Sequence, residues 1–137
     1  MDKNGLYEFL RGHRLGVLAT ATRSGAPEAA LVGIVVTPEL ELIFDALAST
    51  RKIKNLRRDP RIAFVIGWEN ECSIQYEGFA DEPEDDDLCR IKKIYCETFP
   101  TAPERDIWPG HIYMRVVPKW IRYSSYKLPY VIEEFKF

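Results

Sequence analysis

Apolar and polar positions alternate with a period of two along most of this chain, and a helical period interrupts the alternation in three places. The first is near the start, where Leu6, Phe9 and Leu10 share one face of a short helix, with Asp2 as its cap and Gly12 near its end. Leu15 to Thr22 (LGVLATAT) then reads as a strand, and Ser24-Gly25-Ala26-Pro27 as the turn after it. Glu28 to Thr37 (EAALVGIVVT) is a second strand, apolar enough to be covered on both faces. Gly33 within it marks a close approach to the backbone, or equally a bulge or a packing glycine. Thr37-Pro38-Glu39 turns the chain into Leu40 to Asp45, where Leu40, Leu42 and Phe44 alternate with Glu41, Ile43 and Asp45.

The second helical stretch opens at Ser49-Thr50. Either residue is a good N-cap, because its side-chain oxygen can accept from the free N–H groups of the first turn. Ile53 and Leu56 form its apolar stripe, and Asp59-Pro60 stops it after about three turns. Arg61 to Trp68 and Cys72 to Asp81 follow as two strands around a Glu69-Asn70-Glu71 loop. Ser73, Gln75 and Glu77 share one face of the latter, with Ile74 and Tyr76 on the other, so that one wall of a polar site is available there.

The third helix runs from Pro83 through Glu97, buried along Leu88, Ile91, Ile94 and Tyr95. The acidic run Glu84 to Asp87 lies at its start, where acids complement the helix dipole; it lacks the glycine turn and alternating ligands of a calcium loop. His111 to Tyr123 is the last strand, with Pro118 at an edge or a bulge. The tail, Leu128 to Phe137, carries Tyr130, Val131, Ile132, Phe135 and Phe137 and is too apolar to hang free; a partner subunit is one surface it would cover.

Length and composition narrow the picture. The 137 residues form one domain, residues 1–137, and 46% hydrophobic content suits a packed core. A formal net charge of −2 argues against general binding to nucleic acid or acidic membranes. The apolar runs are shorter than a membrane span of about 18 residues, and the N-terminus lacks a signal-type apolar region, so a cytoplasmic location is expected. Cys72, Cys89 and Cys96 make no Cys-x-x-Cys pair and read as reduced, mostly buried thiols; no standard spacing joins them to His13 or His111 as a metal site.

Against that near-neutral background, Arg51 and Lys52 place two cations at a helix N-terminus that already carries about half a positive charge. An anion held by the first-turn amides and these side chains would relieve the repulsion, and a phosphate fits that description. A plain capped surface helix with a solvated basic face is the alternative.

The order of elements, and the pieces LGVLATATRSGAPEA, Ser/Thr-Arg-Lys at 49–52, DPRIAFVIGW, YEGFADE and RVVPKWIRY, resemble the pyridoxamine 5′-phosphate oxidase-like family of FMN-binding split barrels. The resemblance implies a mainly β, antiparallel split barrel with flanking helices. It implies that Ser49, Thr50, Arg51 and Lys52 grip the FMN phosphate, that the ring lies along Leu31, Val32, Gly33, Asp45 and Ala46, and that Ser73 and Gln75 supply polar contacts. It further implies a homodimer with the cofactor at the interface, completed by Trp120 and Arg122 of the second subunit, and a flavin-dependent oxidoreductase acting on a small-molecule substrate or electron acceptor. F420 is another cofactor of related split barrels, and the alternative is a flavin-, F420- or haem-binding carrier, sensor or stress-type protein without turnover. Ala30 and Val35 stand where larger oxidases of the family carry basic residues, and the chain lacks their Arg- and His-bearing C-terminal segment, which speaks against pyridoxamine phosphate itself as the substrate. Trp68 and Trp120 are candidates for stacking on a flavin, or for the core.

Overall fold

The computed structural model describes all 137 residues. In chain order it contains α1 (Lys3–Arg11), β1 (Leu15–Ala21), β2 (Pro27–Gly33), β3 (Val35–Val36), β4 (Leu42–Leu47), α2 (Arg51–Arg58), β5 (Arg61–Ile66), β6 (Cys72–Asp81), α3 (Asp85–Thr98), a 3₁₀ turn (Ala102–Ile107), β7 (His111–Ser125) and β8 (Val131–Lys136). The strands form one antiparallel sheet in the order β2-β1-β5-β6-β7-β4-β3, with β8 also on β7. The 15-residue β7 makes this possible: β6 lies along one side, while β4 takes the first half of the other side and β8 the second half.

Alternation along the strands divides the sheet into two faces. Leu18, Phe44, Phe64, Ile66, Ile74, Tyr76, Val116 and Ile121 point inward, and Leu6 and Leu10 of α1 with Ile53 and Leu56 of α2 close the same core. A smaller cluster forms outside it, where Ile91 and Tyr95 of α3 pack on Val35, Ile43 and Tyr113. Both faces of β4 are therefore covered.

Several expectations need correction. The apolar stretch 28–37 is two strands broken at Ile34, and β2 is an edge strand with one face open; Leu31 is 60% exposed. Its apolar character suits a face that is uncovered in one chain, not one buried on both sides. Leu40 belongs to a turn, with a φ of 65°, and the strand begins at Leu42. The helix after Ser49 has eight residues, about two turns rather than three. Pro83 precedes the third helix, which starts at Asp85 after Glu84. No cysteine is buried; Cys72 and Cys96 are half-buried and Cys89 is exposed.

Pro118 lies inside the sheet, opposite Gly78, where the β6–β7 register shifts. A missing N–H is tolerated there because the bulge has already broken the ladder. The tail covers its own chain: β8 pairs with Trp120–Ser125 and packs Phe135 against the core, while Tyr130 and Ile132 remain exposed.

Candidate functional site

The N-terminus of α2 sits beside the β2 edge. A cavity of about 310 Å³ opens between them, lined by Leu18 and Thr20 of β1, Glu28, Ala29 and Ala30 of β2, and Ser49 to Lys52. Thr50 is the N-cap, but its hydroxyl donates to the Leu47 carbonyl at 2.7 Å and caps nothing. The amides of Arg51, Lys52 and Ile53 consequently donate to no atom of the chain. The structure brings Ser49, Thr50, Arg51 and Lys52 together at this cavity, but the Thr50 hydroxyl donates backward where it was expected to accept from the first-turn amides. Since a side-chain cap would compete with any ligand for these amides, its absence leaves three donors without a partner at the start of α2, where Arg51 and Lys52 line the cavity.

The two cations differ. Lys52 pairs with no carboxylate of the chain. Arg51 is not free: its Nη1 lies 2.7 Å from Glu28 Oε2. Glu28 is in turn held by buried Asn55, whose Nδ2 donates to Glu28 Oε1 at 2.8 Å and to Thr20 Oγ1 at 3.0 Å. A carboxylate within reach of the cationic pair is the feature the sequence did not reveal, because residues 28 and 51 meet only through the β2–α2 packing.

The remaining expected residues separate into two places. Leu31, Gln75 and Arg122 lie in one row across the outer face, since the register aligns Leu31 with Val17, Val17 with Val65, Val65 with Gln75 and Gln75 with Arg122. Trp120 lies in the neighbouring row with Glu77, and Ser73 is on the same face of β6. Arg122 and Trp120 are both drawn toward Glu134 of β8, Trp120 through its indole N–H at 3.4 Å. Trp68 is half-exposed, outside the core.

Gly33 and Asp45 instead face α3. The close approach at Gly33 comes from the chain itself, for a Cβ there would stand 3.1 Å from Phe99 Cζ and 3.4 Å from the Tyr95 hydroxyl. Packing glycine is the correct one of the open readings. Asp45 accepts from the Tyr95 hydroxyl at 2.8 Å and from Arg105 Nε at 2.7 Å, with His111 Nε2 at 2.8 Å. Burial disfavours its charge, but these three hydrogen bonds outweigh burial and hold the carboxyl below its ordinary range. The cluster fastens α3 and the 3₁₀ turn to the sheet. Val32 is buried, and Ala46 is half-buried against the core.

Cys72 lies at the Ser125 end of β7 and His111 at the other end, so the two form no nucleophile pair. Both histidines are engaged: His111 lies between Asp45 and Asp106, and His13 Nδ1 bonds with the Phe9 carbonyl at 2.8 Å.

A curled antiparallel sheet with helices at its flanks and a cavity at the start of α2 is the split-barrel class of protein. The sequence profile of pyridoxamine 5′-phosphate oxidase matches residues 5–124, and the chain belongs to that family. Its fold is similar to a haem-binding protein from Mycobacterium smegmatis (TM-score 0.85, 17% identity), covering 99% of this chain but only 58% of that one. It is also similar to general stress protein 26 from Bacillus anthracis (TM-score 0.77, 21% identity, 98% of each chain). A third solved relative is the haem storage protein HutZ of Vibrio cholerae (TM-score 0.72, 18% identity, 84% of this chain and 88% of that one). At these identities the likeness is one of fold. No helix is long and apolar enough to cross a membrane.

Proposed function

We propose that the chain binds FMN by its phosphate at the start of α2 and works as a flavin-dependent oxidoreductase of a small molecule or electron acceptor. The observation that carries this reading is the set of three unpartnered amides in the first turn of α2, with unpaired Lys52 on the wall of the adjoining cavity. A phosphate monoester supplies the acceptor oxygens and negative charge that this donor set lacks. When bound, the flavin supplies hydride or electron transfer. The chain's own part is to anchor the phosphate through the Arg51 to Ile53 amides and Lys52, and to offer a ring the open face of β2 and β1.

That face also supports a homodimer. Leu15, Leu31, Val65, Phe79 and Val117 are exposed on neighbouring strands of the outer face, a larger apolar area than scattered surface residues present. A second copy of the same chain covers it in this proposal, and brings Trp120 and Arg122 to the partner's ring.

A haem carrier is the second reading, favoured by two fold relatives that are a haem-binding and a haem storage protein. It gains less from His111, whose two ring nitrogens lie against Asp45 and Asp106, than from His13, whose Nδ1 bonds to the Phe9 carbonyl and whose Nε2 makes no hydrogen bond. Mass spectrometry of the cofactor released from purified protein tests the choice. FMN mass with flavin absorbance supports the proposal; F420 or haem in its place would reject it. Reduction by NAD(P)H and reoxidation by an acceptor then separates an enzyme from a carrier.

A further inference from the structure

We propose that Glu28 is a fixed counter-charge that sets how much negative charge the α2 cavity accepts. The inference rests on the phosphate reading above and concerns a residue that reading does not use. Three observations support it. Glu28 lines the cavity with Ser49 to Lys52. One of its carboxylate oxygens accepts from Asn55, which is buried and anchored to Thr20, so the carboxylate is held in place. The other oxygen pairs with Arg51, whose side chain is 79% exposed and free to swing, whereas that of Glu28 is only 17% exposed.

The asymmetry decides which partner moves. A dianionic phosphate entering the cavity draws Arg51 away from Glu28, or shares it, and in either case meets a carboxylate that cannot retreat. Asn55 does not require that negative charge, because a neutral amide oxygen can also accept its hydrogen bond. The charge of Glu28 therefore acts on the ligand and not on the fold. It lowers the affinity of this site for a fully charged phosphate and leaves the binding of an uncharged flavin untouched.

The test uses the full-length apoprotein titrated with FMN and with riboflavin, which lacks the phosphate, followed by fluorescence quenching. Glu28→Gln keeps the acceptor for Asn55 and removes the charge. The expected result is about fivefold tighter FMN binding, the size of one solvent-exposed charge interaction, with riboflavin affinity unchanged. Equal or weaker FMN binding by Glu28→Gln, or a parallel change for both flavins, would overturn the proposal. Arg51→Gln provides a second arm that does not depend on a gain: its cost in FMN affinity should be larger in the Glu28→Gln background than in the wild type, and equal costs would contradict the pairing. The Arg51→Glu/Lys52→Glu protein separates the two levels. Loss of FMN there with no effect of Glu28→Gln sinks only the counter-charge, while retention of FMN sinks the phosphate reading and this inference with it.

Discussion

Thr50 turns its hydroxyl back to the Leu47 carbonyl, at 2.7 Å, instead of forward to the amides of the helix it begins. That single rotamer leaves the first turn of α2 open to a ligand, and two substitutions separate its parts. Thr50→Val removes only the hydroxyl; it should cost about 1 kcal/mol of stability and leave FMN affinity nearly unchanged. Thr50→Asp places a carboxylate where it can cap the amides itself. It should weaken FMN binding about tenfold or more, the weight of one charge-assisted hydrogen bond. Thermal denaturation with flavin titration reads both, and equal FMN binding by the Asp variant would show that the amides are not used.

Two glycines that look alike in the sequence should differ in their tolerance of alanine. At Gly33 the added methyl meets the Phe99 ring, a side chain that can shift by a few tenths of an ångström, and the expected cost is about 1 kcal/mol. At Gly78 the methyl overlaps the Val117 carbonyl oxygen across the bulge, and backbone has nowhere to move. Gly78→Ala should cost about 3 kcal/mol. Chemical denaturation of both variants checks the order, and a reversed order would contradict the packing described.

Asp45 gives the fold an acid-sensitive clamp. Burial raises its pKa, but the bonds from His111, Arg105 and Tyr95 more than offset this, and the net shift is downward from 3.8. A carboxyl depressed in the folded state contributes stability that is present above its unfolded value and lost as the pH falls through the folded one. Unfolding free energy should therefore decline below about pH 4. Asp45→Asn should flatten that part of the acid limb and cost about 2 kcal/mol at neutral pH, because Arg105 loses its partner. An acid limb unchanged by the substitution would show that other carboxylates govern it.

Apart from β8, which lies in a tail read only as apolar, the order of helices and long strands was legible in the sequence because strands with one face on the core must alternate, and α1, α2 and α3 carry apolar stripes that alternation does not explain. Cys72 to Asp81 was readable to the residue, since its inward Ile74 and Tyr76 and outward Ser73, Gln75 and Glu77 leave no ambiguity of register. The break at Ile34 was not readable, because β-branched residues continue through it and only the pairing partners change. At the site, the cations at a helix start were visible as a local charge pattern. The Glu28–Arg51 pair and the Asp45 cluster depend on contacts between residues 23 to 66 positions apart, and the alignment of Leu31 with Gln75 and Arg122 on the pairing of five strands, none of which a local pattern encodes.

The outer face provides a test of assembly. Leu31→Glu with Val65→Glu puts like charges into the middle of the proposed interface while changing only exposed positions of the single chain. Sedimentation velocity should show dimer converted to monomer with an unchanged circular dichroism spectrum. Flavin retention should fall with it, since Trp120 and Arg122 of the second copy are lost. A dimer that persists would move the interface to another surface, such as the exposed side of β8.

The most direct measurement of the central claim is an amide NMR titration of the apoprotein with FMN and, separately, riboflavin. The account predicts large shifts for the Arg51, Lys52 and Ile53 amides with FMN and small ones with riboflavin, because only a phosphate gives these donors an acceptor. The same three amides unmoved at saturating FMN, with shifts appearing elsewhere, would contradict it.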